Sequence, residues 1–249
     1  MITIQQNELE IVKIYKNRQF TNKENIVIGN MRLLEDEHLP SVINLQEKVV
    51  SSLKDRGIFH PNSIDFLQFC VKKYGRMIGI FVKHELIAYC VIYFPGNSQD
   101  NLGADLSFSK TMLHKVAHLE MIAVHPDYRG NSLALKMSQQ ALVIMKMLKY
   151  QHACVTVSPD NFYSLNVVFK SGFLIKALNI KYGDKLRYIL HKNLLQEQDF
   201  HLKNTVGMPN TNTETQKQLL AQGFIGYKLY QTVEGYVVMF GKEMKECKL

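Results

Sequence analysis

Apolar residues recur along this chain at two spacings, and the switches between them mark out the elements. Leu9, Val12 and Ile14 suggest a strand over Glu8–Tyr15, followed by a polar loop at 16–25 and a second strand over Ile26–Leu33. Leu39, Val42, Ile43, Leu45, Val49 and Val50 then return at helical period, with Pro40 near the start and Gly57 past the end as punctuation. A second helix is expected at about 63–74. Strands at 77–82 and 86–94 flank a short Lys83-His84-Glu85 turn, a hairpin by length and alternation. Residues 95–106, PGNSQDNLGADL, are rich in turn formers and predict a surface loop. An apolar, strand-like run from Leu119 to Val124 leads through His125-Pro126-Asp127 into a helix at 133–148, whose Met137 and Met145 read as core. A strand at His152–Val157, a helix at 161–171 stopped by Gly172-Phe173, and strands at 173–180 and 186–191 around Gly183-Asp184 complete the series.

The last third holds a faint echo. KSGFLIKALNIKYGDKLRYILHK at 170–192 and AQGFIGYKLYQTVEGYVVMFGK at 221–242 both read helix end, Gly-Phe, strand, turn, strand, with a helix at 213–222 before the second. Gly-Phe after a helix is also a common C-cap with a hydrophobic contact, which explains the likeness without a repeat. Either way the tail reads as a helix and hairpin that extend the sheet or cover one end of a cleft.

Composition narrows the class. A chain of 249 residues, 46% hydrophobic, can bury a substantial core. No stretch reads as a signal peptide or membrane span; the apolar run at 86–94 is nine residues and ends at Pro95. Cys70, Cys90, Cys154 and Cys247 show neither paired nor metal-ligand spacing, so reduced thiols and a cytoplasmic protein are expected. Nine histidines lack metal spacing, and no metal is expected. The net charge of +8 is unevenly placed: residues 129–192 hold ten basic residues against Asp160 and Asp184, while 1–128 and 193–249 balance. That segment suits a polyanionic ligand. A nucleic-acid surface is the rival explanation, but aromatic interleaving and a recognised motif are both missing.

The basic segment opens on the most specific stretch, HLEMIAVHPDYRGNSLA at 118–134. A strand, a short polar loop with several backbone N–H groups and a helix N-terminus make an anion site, to which Arg129 adds a full charge. Ala123-Val124-His125-Pro126-Asp127-Tyr128-Arg129-Gly130-Asn131-Ser132-Leu133-Ala134 resembles the signature of the GNAT N-acetyltransferase superfamily, strand Ala-Val followed by x-Pro-x-Tyr-Arg-Gly-x-Gly-x-Gly/Ala. Ser132 stands where the family usually has glycine, and its Cβ limits how near the backbone comes to a phosphate. The resemblance covers about residues 28–193. It implies an α/β fold with a mixed, mostly antiparallel central sheet flanked by helices, here with a C-terminal helix-hairpin extension. The expected layout is an N-terminal extension at 1–27, an acyltransferase domain at 28–193 and an α+β extension at 194–249 packed on the same sheet.

The resemblance also implies acetyl-coenzyme A as acyl-donor cosubstrate and an amine, small molecule or peptide, as acceptor. Arg129, Gly130, Asn131, Ser132, Leu133 and Ala134 would then hold the pyrophosphate. Ile122, Ala123 and Val124 would lie beside the pantetheine arm, with a backbone N–H facing the thioester oxygen. Asn161, taken as helical, and Ser164 match the family's Asn-x-x-Ala/Ser coenzyme contact. An alkyl amine with pKa near ~10.4 is mostly protonated at neutral pH, so a base is needed. Glu120, an acid in an otherwise apolar run, is the candidate, with His118 as substitute. The family often has a general-acid tyrosine four residues before Gly-Phe, but here that position is Val168, leaving Tyr163, Ser158 or water as the proton donor. A non-catalytic acyl-coenzyme A binder or sensor of the same fold is therefore the alternative. The sequence names no acceptor and leaves a homodimer open.

Overall fold

The computed structural model describes residues 8–15, 26–53, 59, 61–196 and 202–243. The expected loop at 16–25 and Cys247 lie outside the described residues. The class is the expected one, mixed α/β with mostly antiparallel strand pairing and flanking helices. The chain forms two compact units, Met1–Phe94 with Leu119–Val143, and Pro95–His118 with Ile144–Leu249.

In the first unit, β1 (Glu8–Tyr15), β2 (Ile26–Leu33), β3 (Gly75–Val82) and β4 (Glu85–Tyr93) pair antiparallel in chain order. β4 has the end of β5 (Val116–Val124) as its other neighbour, where the His125 N–H donates to Ile87 O at 2.8 Å. Helix α1 (Leu39–Ser51) carries proline in its first two positions, where a missing N–H costs nothing. It lays Leu39, Val42, Leu45 and Val49 on Met77, Phe81, Tyr89 and Val91 of the sheet. Each such fully buried side chain contributes about 1.5–3 kcal/mol. The expected second helix is α2 (Ile64–Phe69), capped by Ser63, whose hydroxyl accepts from the Phe66 N–H at 3.2 Å, and continued by one wider turn over Cys70–Tyr74.

In the second unit, the start of β5 runs parallel to β6 (His152–Val157) through three pairs, Val116↔His152 to His118↔Cys154. The order then continues β6, β8 (Lys185–Asn193), β7 (Leu174–Lys181), β10 (Ile225–Thr232), β11 (Gly235–Glu243) and β9 (Leu202–Pro209), all antiparallel. Residues 95–101 form turns with Asn97, Gln99 and Asp100 exposed, as expected of a surface loop, and the rest of the 95–106 stretch departs from that expectation. Its last part folds into a helical turn, α3 (Leu102–Asp105), followed by a second turn, α4 (Lys110–Leu113). Asn101 is wholly buried: its Nδ2 donates to Gly96 O at 2.7 Å and Leu113 O at 3.0 Å, and its Oδ1 accepts from the Gly103 N–H at 2.9 Å. Three backbone bonds make burial of a polar amide affordable. Helix α5 (Leu133–Met147) follows the signature loop, with Met137 and Met145 fully buried as expected.

The echo in the tail is structural. β6, α6 (Phe162–Lys170), β7 and β8 recur as β9, α7 (Thr213–Ala221), β10 and β11. Asn161 and Asn212 cap their helices alike, each Oδ1 accepting from the N–H three residues on, at 3.1 Å from Ser164 and 3.3 Å from Thr215. Gly172 and Gly223 end them alike at φ 84 and φ 83. The strand order β6-β8-β7-β10-β11-β9 reads the same from either end when each copy is named by its own elements.

Candidate functional site

The signature loop is built on the end of β5. Ala123 is buried in the core under α1, while Glu120, Ile122 and Val124 are half-buried. Glu120 is close enough to α2's neighbour Cys70 for its charge to be felt there. Burial first, and Glu120 second, push the Cys70 thiol up to about 12. His118, in the second unit, is spent structurally: its Nε2 accepts from the Leu102 N–H at 3.1 Å. Burial, then the charge of Lys181, pull it down to about 3, so it is neutral with its proton on Nδ1. The substitute-base role is closed by that geometry, because the basic nitrogen already holds a backbone proton donor.

Past the strand, His125 Nδ1 accepts from the Asp127 N–H at 3.3 Å and starts a single 3-10 turn, Pro126–Tyr128. Tyr128 is buried under it. Gly130 at φ 87 and Ser132 at φ 57 are both left-handed, so the backbone curls between them. The Lys136 N–H donates to Ser132 O at 3.0 Å, the first bond of α5. The N–H groups of Leu133, Ala134 and Leu135 therefore precede any intrahelical acceptor and stand at the positive end of a fifteen-residue helix. Gly130 and Ser132 are exposed. A left-handed curl of N–H groups opening on solvent fits an anion.

Two side chains of the loop hold it in place. Asn131 pairs with the last residue of β1 as a strand would: its Oδ1 accepts from the Tyr15 N–H and its Nδ2 donates to Tyr15 O, both at 2.8 Å. The same Nδ2 donates to Tyr128 O at 3.0 Å. Arg129 Nη2 donates to Ser52 Oγ at 2.9 Å, at the C-cap of α1, where the helix concentrates negative potential. Sequence reasoning gave Arg129 and Asn131 to the ligand and missed Tyr15 and Ser52, whose positions carry no local signal.

Asn161, Tyr163 and Ser164 belong to the second unit. Asn161 is not helical, as the sequence suggested, but sits at φ −90, ψ 72 as the N-cap of α6. Its spacing to Ser164 is the spacing of a capping hydrogen bond. Tyr163 is 86% exposed on the first turn of α6, and Val168 is buried, its carbonyl accepting from the Phe173 N–H at 3.0 Å. Among the described residues, no three histidine, cysteine, aspartate or glutamate side chains gather to hold a metal.

A strand ending in a left-handed anion loop, a helix rising from it, and a β-α-β-β unit after it define an acyltransferase-type fold. A model of the acetyltransferase (GNAT) family matches residues 45–173, and the chain belongs to that family. Curated protein sequences yield no match. Among solved structures, an N-acetyltransferase from Staphylococcus aureus Mu50 is 14% identical with a TM-score of 0.51, over 67% of this chain and 98% of that one. The ribosomal-protein-S18-alanine N-acetyltransferase of Escherichia coli is 13% identical with a TM-score of 0.52, over 69% and 97%. The protein yncA of Salmonella typhimurium, solved with its cofactor acetyl-CoA, is 12% identical with a TM-score of 0.51, over 69% and 96%. At these identities the likeness is one of fold.

Proposed function

We propose that this protein is an N-acetyltransferase that moves an acetyl group from acetyl-coenzyme A directly to an amine. The observation that carries the reading is the left-handed loop at Gly130 and Ser132, opening onto the N-terminus of α5. The pyrophosphate would lie on the N–H groups from Gly130 to Ala134. Arg129 supports that loop from α1 and leaves the backbone to make the contacts. The pantetheine arm would run beside Ile122, Ala123 and Val124, with a β5 N–H polarising the thioester carbonyl. Asn161 and Ser164 would orient the arm from the start of α6.

Glu120 is the proposed base. It takes a proton from the acceptor ammonium, directly or through water, and the neutral amine attacks the thioester carbon. The new C–N bond forms, the C–S bond breaks, the nitrogen gives up its second proton to solvent, and the thiolate takes a proton from Tyr163 or from solvent. The buried Val168 offers none, which favours an unassisted departure or, as the second reading, an acyl-coenzyme A sensor without turnover. With this function we propose the three-part layout at 1–27, 28–193 and 194–249 and a cytoplasmic location. No helix among the described residues is long and apolar enough to cross a membrane.

The test is calorimetric titration with acetyl-coenzyme A of the wild type and of Ser132→Asp. Aspartate tolerates a left-handed backbone and puts a carboxylate where the phosphate would sit. Micromolar binding that the variant loses while its circular dichroism is unchanged supports the site. A folded wild type that binds nothing overturns it, and thiol release without and with Glu120→Gln separates enzyme from sensor.

A further inference from the structure

The second unit contains a cavity of about 820 Å3 that the signature loop does not touch. Small-molecule sites usually measure roughly 300–1,000 Å3. Four segments wall it: the end of α3 with the turn after it, strand β7, His191 of β8, and helix α7 of the second β-α-β-β copy. Leu106, Phe108 and Leu220 give it an apolar surface.

Charges of both signs line this apolar space. Asp105, 17% exposed, is fixed by Asn179 Nδ2 at 3.0 Å and Lys181 Nζ at 2.9 Å, one on each oxygen, and each oxygen keeps a second lone pair. Among the described residues, Lys176 and Lys217 supply ammonium groups whose ion pairs are with outlying carboxylates. Glu243 lies 3.4 Å from Lys176 and is 50% exposed, and Glu214 lies 2.9 Å from Lys217 and is 78% exposed. Such exposed pairs contribute little and exchange readily for another carboxylate. A ligand with a cation at one end, an anion at the other and an apolar body between suits Asp105, the two lysines and the apolar side chains, while His191 is already paired with His152 at 3.1 Å.

We propose that this cavity binds a zwitterionic ligand of about dipeptide size with an apolar body, its ammonium on Asp105 and its carboxylate on Lys176 and Lys217. The second β-α-β-β unit completes the site, since α7 supplies Lys217 and Leu220. It stands independently of the transferase reading, and neither requires the other.

The experiment titrates the full chain, without acetyl-coenzyme A, with Leu-Leu, N-acetyl-Leu-Leu and Leu-Leu-amide. The wild type is expected to bind Leu-Leu about tenfold or more tightly than either blocked peptide, the loss of one charge-assisted contact. Lys217→Gln is expected to reduce the discrimination against the amide, and the Lys176→Gln, Lys217→Gln double variant to abolish it. Ala221→Phe, a substitution on the exposed face of α7 that fills the cavity, is expected to remove binding. The variants are also compared with the wild type by circular dichroism and thermal unfolding, which an intact fold leaves unchanged, and the wild type is titrated separately with acetyl-coenzyme A. Equal affinity for the three peptides, binding unchanged by Ala221→Phe, or no binding of Leu-Leu at millimolar concentration overturns the proposal. A failure of acetyl-coenzyme A to bind the wild type strikes the transferase reading alone.

Discussion

Replacing Ser132 with glycine should stabilise the protein. Ser132 is held at φ 57, where the Cβ of an L-residue crowds its own backbone at a cost of about 1–2 kcal/mol. Glycine escapes that cost, but its freer unfolded chain takes back about 0.4–1 kcal/mol. The side chain is exposed, so no packing is lost. The difference leaves Ser132→Gly more stable by about 0.5–1 kcal/mol, or roughly 1–4 °C in Tm for a chain of this length. Ser132→Ala is the control, because it keeps the Cβ and removes only the hydroxyl. Differential scanning calorimetry and urea unfolding of the three proteins read the effect directly. Glycine should rise, alanine should not, and the KM for acetyl-coenzyme A should fall in the glycine variant, whose backbone can approach a phosphate more closely. A Tm gain shared equally by alanine, or a loss in the glycine variant, would refute the idea that the Cβ strains this loop.

Glu120→Gln should lower kcat by about 10²–10⁴ at pH 7 with little change in the KM for acetyl-coenzyme A, and raising the pH should recover part of the loss as the amine deprotonates unaided. Asn131→Ala removes the partner of Tyr15's N–H and C=O, and should cost about 1–3 kcal/mol in urea unfolding, with faster hydrogen exchange at Tyr15. His118 is held at about 3 against 6.5 when unfolded. The unfolded chain binds its proton first as pH falls, so the stability this neutral histidine allows is complete above about 6.5 and is lost toward pH 3. His118→Gln should flatten the stability–pH curve in that window by close to one proton, and an unchanged slope would count against a neutral buried imidazole.

How far the sequence reaches is set by the range of the interaction that fixes each feature. Helix α1 and the β3–β4 hairpin were legible because period and turn chemistry are local. The spacing from Asn161 to Ser164 was noticed for a contact with ligand, while its immediate cause is a cap three residues long. Ser132 was conspicuous only against the family pattern; its left-handed backbone gives that departure an energetic meaning. β9 went unseen, since LKNTVGMP has no clean alternation and pairs on one side only, with β11. Asn101, set among turn formers, read as surface because nothing local announces that its amide will find Gly96, Gly103 and Leu113. Arg129 and Asn131 read as ligand contacts for the same reason: their partners Ser52 and Tyr15 lie 77 and 116 positions away.

The mirrored strand order of the second unit has a consequence for how this chain can vary. Had the polypeptide stopped after β8, the outer N–H and C=O groups of β7 would form an open edge ready to recruit another molecule. Here β10 occupies that edge, meeting β7 at Ile175 and Gly226, where a Cβ on Gly226 would come within 2.9 Å of Ile175. In a twofold assembly of separate chains, every substitution at the seam appears on both sides at once. With both halves on one polypeptide, each side of the seam is free to drift alone. One unit carries Asn-x-x-Ser before its helix, and the other carries Asn-x-x-Thr and places Lys217 and Leu220 on a cavity wall. On a single polypeptide that symmetry constraint is absent, so the second β-α-β-β unit can carry residues of its own while still closing the sheet.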